Sequence, residues 1–241
     1  MGYTRRELIL GLSAASLHAV ETRTPVLVEL FTAEGCSSCP PADRLLIQLI
    51  EQNPIPGAQV IALSEHVDYW NTLGWVDPFS KAFFTERQQR YAQMLKTSGN
   101  YTPQMIVDGQ REFVGNDPQM AARAISEAAK TPKDPLELMW REELTVRIPN
   151  SAQRANVVVV IVENNLTTNV RNGENKNRTL QHSAVVRRWE QLGDVKPAQP
   201  FERSLRIKLD SSWKPANVAA VAFAQATKGG AVTAVNRVLH N

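Results

Sequence analysis

The chain has 241 residues, 43% of them hydrophobic and 21% charged, with a formal charge of +3. Those proportions suit a folded globular protein of one large domain or two smaller ones, and so slight a positive excess does not mark a nucleic-acid binder. Two cysteines are too few for a disulfide scaffold, and no apolar run reaches the roughly 18 residues that suggest a membrane span.

The first residues read as an address. Thr4-Arg5-Arg6-Glu7-Leu8-Ile9 resembles the twin-arginine export motif, and an apolar stretch follows from Leu8 to Leu17. Ala19 is the candidate cleavage point, although Leu17-His18-Ala19 is a poor small-x-small site. Residues 1–19 are therefore expected to be a twin-arginine signal peptide, the alternative being a surface N-terminal helix. Export puts the mature chain in the periplasm or outside the cell, where a disulfide persists.

Val26 to Phe31 is an apolar, β-rich run with Pro25 before it, and reads as the first strand. Helix signals start near Pro40, since prolines in a first turn remove only N–H groups that lack a helical partner. Leu45, Leu46, Leu49 and Ile50 give that helix an apolar face, and Pro54, Pro56 and Gly57 end it. Gln59 to Ser64 is a second strand with a continuous apolar run, as in a strand covered on both faces. Glu65 to Asp77 is aromatic, has no clear period and reads as an ordered loop. Asp77 and Pro78 read as a helix start, with Phe79, Phe83, Tyr91 and Leu95 on one face of a helix running to about Lys96.

Thr102 to Gly109 reads as a strand entered through Pro103 and closed by an Asp108-Gly109 turn, and Glu112 to Val114 is the returning strand. Asp117 and Pro118 open a last helix, whose buried face is Ala121, Ala124, Ile125 and Ala128. Thr131-Pro132-Lys133-Asp134-Pro135 reads as a linker. Beyond it, residues 144–148, 155–162, 179–188, 204–209, 218–224 and 232–239 read as strands with no helix between them. The expected architecture is an α/β domain over residues 20–131, followed by a small antiparallel β-sandwich-like domain over residues 132–241.

The chemistry concentrates at Cys36-Ser37-Ser38-Cys39, the only cysteines, placed at a strand-to-helix junction. Unpaired N–H groups and the helix dipole favour a thiolate there. In a dithiol–disulfide cycle Cys36 would be exposed and would attack, and Cys39 would reach back over one helical turn to resolve. A structural or inert pair is the plainer alternative. Half of a zinc site is disfavoured, because no second Cys-x-x-Cys completes four ligands.

The element order and this motif resemble the thioredoxin fold, with a loop-and-helix insertion after the second strand. That resemblance implies a cis-proline opposite the dithiol, and Thr102-Pro103 stands at the expected place. It also implies a buried acid in the strand before the dithiol, for which Glu29 is the candidate. Glu29 lies one residue further from Cys36 than the thioredoxin acid does, and Gly35 stands where an aromatic residue is usual. An ordinary trans proline and a surface glutamate are the alternatives.

The chain as a whole resembles a family of exported bacterial proteins described as thioredoxin-like and of unknown function. The resemblance is carried by Val28 to Thr32, Cys36-Ser37-Ser38-Cys39-Pro40-Pro41-Ala42-Asp43, His66-Val67-Asp68-Tyr69-Trp70, Leu73-Gly74-Trp75, Asp77-Pro78-Phe79 and Tyr101-Thr102-Pro103-Gln104. In the second half it is carried by Gly173-Glu174-Asn175, Arg178-Thr179-Leu180 and Val185-Val186-Arg187. It implies a fold and no substrate.

His66 and Asp68 lie at the end of a central strand, where open α/β sheets build their sites. His66 is a candidate proton carrier for Cys39, or a third ligand beside the two sulfurs; packing within an aromatic loop is the plain alternative. His182, Arg187 and Arg188 read as a solvated strand face. The function expected is that of an exported thiol-disulfide oxidoreductase acting on a thiol or disulfide partner, with Cys36, Cys39, Thr102, Pro103, Glu29 and His66 at the site and no cofactor. One alternative is a copper-binding or delivery module using Cys36, Cys39 and His66. Another is a partner-binding scaffold with a structural disulfide.

Overall fold

The computed structural model describes residues 23–240; the expected signal peptide lies outside the described residues. The N-terminal half is built on β1, Thr24–Thr32, which is buried from Val26 onward. It pairs in parallel with β2, Ala58–His66, and antiparallel with β3, Gln104–Val107. β3 turns through Asp108 and Gly109 into β4, Arg111–Val114. Helices α1 (Pro40–Gln52), α2 (Ala82–Leu95) and α3 (Pro118–Ala128) complete the expected order.

Side-chain alternation along β1 decides which helix covers which face. Val26, Val28 and Leu30 join Leu46 and Leu49 of α1 and Ala121 and Ile125 of α3. Leu27 and Phe31 point to the other face and join Phe84 and Tyr91 of α2. Asp117 caps α3 by accepting from the backbone N–H groups of Gln119 and Met120, as its sequence suggests. Asp77 does not cap α2. That helix begins five residues later, and the Asp77 carboxylate is committed elsewhere.

The C-terminal half contributes β5 (Glu137–Trp140), β6 (Leu144–Ile148), β7 (Ala155–Glu163), β8 (Leu166–Asn169), β9 (Thr179–His182), β10 (Val185–Val195), β11 (Phe201–Leu205), β12 (Val218–Ala226) and β13 (Val232–Leu239). The strand expected over 179–188 is two strands, split at Ala184, whose φ is +54°.

The separate sandwich expected over residues 132–241 is not what forms. β10 docks on β2 at Val185 and Ser64, so the chain builds one eight-stranded sheet in the order β13-β12-β7-β10-β2-β1-β3-β4. Sandwich character survives locally. A three-stranded sheet, β11-β6-β5, packs its Leu144, Val146 and Ile148 on Val157, Val159 and Ile161 of β7. On the opposite face Val158 and Val160 of β7 and Phe223 of β12 share a core with α2 and β1. Composition shifts at the linker, but the hydrophobic core does not divide there. Lys133 in that linker is buried and paired with Asp108 at 2.8 Å. Among the described residues no helix is long and apolar enough to cross a membrane.

Candidate functional site

Cys36 and Cys39 form a disulfide at the N-terminus of α1. Cys39 occupies the N-cap position, and its carbonyl accepts from the N–H groups of Ala42 (2.8 Å) and Asp43 (3.1 Å). The sequence reading required an exposed Cys36. In the oxidised protein both cysteines have 0% exposure, although Ser37 and Ser38 between them are exposed.

Three segments close over the pair. Thr102-Pro103 does so through a cis peptide bond, and the Thr102 carbonyl accepts from the Ser38 hydroxyl at 3.4 Å. Ser38 Oγ also lies 3.3 Å from Cys36 Sγ. The loop after β2 brings Trp70, whose indole N–H donates to Thr102 Oγ1 at 2.8 Å. A Cβ on Gly35 would sit 3.2 Å from Trp70 Cβ, so Trp70 leaves little room for a side chain at position 35. The third segment is the turn between β8 and β9. Glu174 accepts from the Ser37 N–H at 3.0 Å, and the Asn175 amide donates to the carbonyls of Glu34 (2.8 Å) and Cys36 (2.9 Å).

A buried group of ionisable side chains is anchored on the same loop. His66 ends β2, and its Nδ1 lies 2.7 Å from Asp77 Oδ2. The same Asp77 oxygen accepts from the backbone N–H of Glu34 at 2.8 Å. Glu34 Oε2 accepts from the Trp75 indole at 2.7 Å, while its Oε1 lies 3.3 Å from His182 Nε2. His182 Nδ1 is 3.9 Å from Asp43 Oδ2, and Asp43 Oδ1 accepts from the Thr32 hydroxyl at 2.9 Å. The two imidazole rings meet edge to face at 4.9 Å.

Burial pushes the Asp43 carboxyl up, against the opposing pull of His182 and His66. Burial would lower His66, but Asp77 beside it, with help from Asp43 and Glu34, outweighs burial and raises it. For Asp77 burial works upward, yet the contact with His66 and two backbone N–H bonds hold it below the usual carboxylate range.

Glu29 is buried as expected but serves a different group. It accepts from Arg87 Nε at 2.7 Å and from Arg87 Nη2, and from the Tyr91 hydroxyl at 2.5 Å, both on α2. Odd-numbered side chains of β1 face α2, and this fixes its partners. Glu29 is therefore tied into an ion-pair network with Arg87 and Tyr91. Asp68 accepts from the Thr85 hydroxyl at 2.6 Å, a local tie to α2. Among the described residues no group of three or more His, Cys, Asp or Glu side chains stands at metal-ligating geometry.

Residues 27–225 match the family model described as "Protein of unknown function (DUF1223)". The chain belongs to this family. A crystal structure of an Agrobacterium tumefaciens protein resembles it with a TM-score of 0.76 at 27% identity, covering 91% of this chain and 96% of that one. A domain of the outer membrane lipoprotein Omp28 from Porphyromonas gingivalis aligns over 46% of this chain and 92% of its own, at 14% identity and a TM-score of 0.27, too low to carry an argument. A search of curated proteins finds no match.

Of the sequence candidates in this DUF1223 chain, the structure brings Cys36, Cys39, Thr102 and Pro103 together and places His66 in the buried group on the same loop. His182 is the clearest miss. Instead of lying on a solvated strand face it has 2% exposure. Its strand alternates, with Leu180 and His182 on the buried side, so period two from Leu180 was the available signal. Glu34 and Asp43 flank the cysteines so closely that their spacing was a usable signal.

Proposed function

We propose that this DUF1223 protein is a thiol-disulfide oxidoreductase working outside the cytoplasm on a thiol or disulfide partner, most simply another protein. Cys36 is the nucleophile and Cys39 the resolving thiol. The observation that carries this reading is the Cys36–Cys39 disulfide at the start of α1, with Ser38 between the cysteines bonded to the Thr102 carbonyl. Unpaired N–H groups and the helix dipole at that position stabilise a thiolate once the bond is reduced. The export expectation rests on the twin-arginine-like residues 4–9.

The test is equilibration of the mature protein with dithiothreitol at graded ratios, followed by alkylation and mass spectrometry. A reversible two-electron couple is expected, and Cys39→Ser should leave Cys36 able to trap mixed disulfides. If neither thiol of the native reduced protein can be alkylated, the reading fails.

Burial of both sulfurs favours a second reading, a partner-binding scaffold with a structural disulfide. Unchanged partner binding after both cysteines become serine would select it.

A further inference from the structure

Helix α2 does not close completely on the outer strands of the large sheet. It packs Phe84 and Tyr91 against β1, and that core runs on to Val158, Val160 and Phe223. Further along the same face the floor turns polar. Asn156 of β7 stands opposite Gln225 of β12, and Gln191 of β10 stands opposite Val158. Amide side chains do not draw a helix down onto them. A cleft of about 540 Å³ is left between α2, these three strands and the turn from β12 to β13. Small-molecule sites commonly occupy roughly 300–1,000 Å³. No residue of the redox loop lines this cleft.

Its apolar wall is Phe83 and Trp189, with ring centroids 5.3 Å apart. Its charged groups are Arg87 and Arg90, and no aspartate or glutamate lines it. Arg87 is fixed in place and 7% exposed. Glu29 takes its Nε and one Nη2 bond, and the Tyr91 hydroxyl takes another. The guanidinium lies 4.5 Å over Trp189 and 4.9 Å over Tyr91. Its Nη1 carries two N–H donors but makes only one long contact, 3.4 Å to Gln225 Oε1.

Arg90 follows one helical turn later, so it shares a face of α2 with Arg87. Its guanidinium is 5.7 Å from the Phe83 ring. Among the described residues it has no ion pair. Glu29 neutralises Arg87, so the uncompensated charge at the cleft is that of Arg90.

We propose that this cleft binds a small aromatic carboxylate, with its ring against Phe83 and Trp189 and its carboxylate between Arg90 and Arg87 Nη1. Two arginines and no acid on the lining select an anion over a cation. One uncompensated arginine matches a monoanion better than a phosphate dianion. The paired rings offer a flat apolar surface, which suits an aromatic body. Asn156 and Gln191 can bond a polar group on the ligand's far side. Glu29 holds Arg87 before any ligand arrives, and such preorganisation lowers the ordering cost of binding. The proposal is independent of the oxidoreductase reading and concerns another part of the molecule.

The test is an amide NMR titration of the oxidised mature protein with trans-cinnamate and with its neutral amide, trans-cinnamamide. Cinnamate should bind saturably and shift residues of α2 and the Trp189 indole resonance, assigned through Trp189→Phe. Arg90→Gln should weaken cinnamate roughly tenfold and leave cinnamamide nearly unchanged. Glutamine is a good helix former and Arg90 is exposed, so the fold of this variant is expected to hold. The proposal is overturned by any of three results: no saturable binding of cinnamate at millimolar concentration, saturable shifts confined to other parts of the chain, or an Arg90→Gln variant that binds cinnamate as the wild type does. If the variant fails to fold, the two ligands on the wild type decide, and equal affinity for acid and amide overturns the proposal.

Discussion

Asn175 donates its side-chain amide to the backbone carbonyl of Cys36, 139 residues earlier in the chain, and shares it with the carbonyl of Glu34. A turn from the C-terminal half thus clamps the redox loop of the N-terminal half. The amide is completely buried; the Cys36 carbonyl also accepts from the Cys39 N–H at 3.2 Å, so it is the Glu34 carbonyl that relies on Asn175. Asn175→Ala leaves that buried acceptor unpaired and should cost about 1–3 kcal/mol. Denaturant unfolding of the oxidised protein measures that cost. The same variant should make Cys36 of the reduced protein react faster with iodoacetamide; an unchanged rate would mean that the clamp does not control access.

His66 and Asp77 make a buried pair whose worth depends on pH. His66 is raised from 6.5, so its contribution is complete below that value and is lost as pH rises through the raised native value. Asp77 is lowered from 3.8, so its contribution is present above 3.8 and lost as pH falls through the native value. The pair is therefore strongest between about pH 4 and 6.5. Asp77→Asn should cost on the order of 3–5 kcal/mol in that window and less at higher pH. Urea unfolding across pH reads this directly, and a cost that grows on the alkaline side would contradict the pairing.

The N-terminal half was legible because its helices and strands differ in period and its turns carry strong punctuation. Pro40 and Pro41, Asp117 with Pro118, and Asp108 with Gly109 all mark the boundaries they form. What could not be read was where the second half docks. β10 meets β2 through one residue pair, Val185 and Ser64, and a single long-range pairing leaves no local trace. Nor does local sequence show that Glu29 bonds Arg87, which lies 58 residues away on α2. The cysteine motif and the Thr102-Pro103 loop were readable because each carries its own chemistry.

Glu65 is a liability that should show itself with pH. Neither of its carboxylate oxygens has a hydrogen-bond partner, although Arg87 Nε is 3.5 Å away. Burial, and then the neighbouring Glu29, push its carboxyl well above 4.5. The native state therefore binds a proton that the unfolded state releases, and stability falls as pH rises from 4.5 towards the native value. Glu65→Gln removes that fall. At pH 8 the variant should be more stable than wild type by on the order of 2 kcal/mol, and near pH 4 almost equal to it. Chemical denaturation at the two pH values decides, and a variant equally destabilised at both would show that the carboxyl is needed by Arg87.

The sheet order makes the two halves one cooperative unit, against the division at residue 131 that composition suggests. On the α2 face Leu27, Phe31, Phe84 and Tyr91 share their core with Val158, Val160 and Phe223 from beyond that division. Ending the chain at residue 131 would strip those partners away and expose the β2 edge that Val185 covers. It would also remove Lys133, which pairs with Asp108, whose other oxygen accepts from the Leu27 N–H at 2.9 Å. A buried carboxylate deprived of its partner and a large uncovered apolar face are each destabilising on their own. Residues 20–131 expressed alone should therefore give poorly dispersed amide NMR signals and no cooperative thermal transition, while residues 20–241 unfold in a single step. A sharp transition in the shorter chain would restore the two-domain division and make β10 a docked addition to a self-sufficient core.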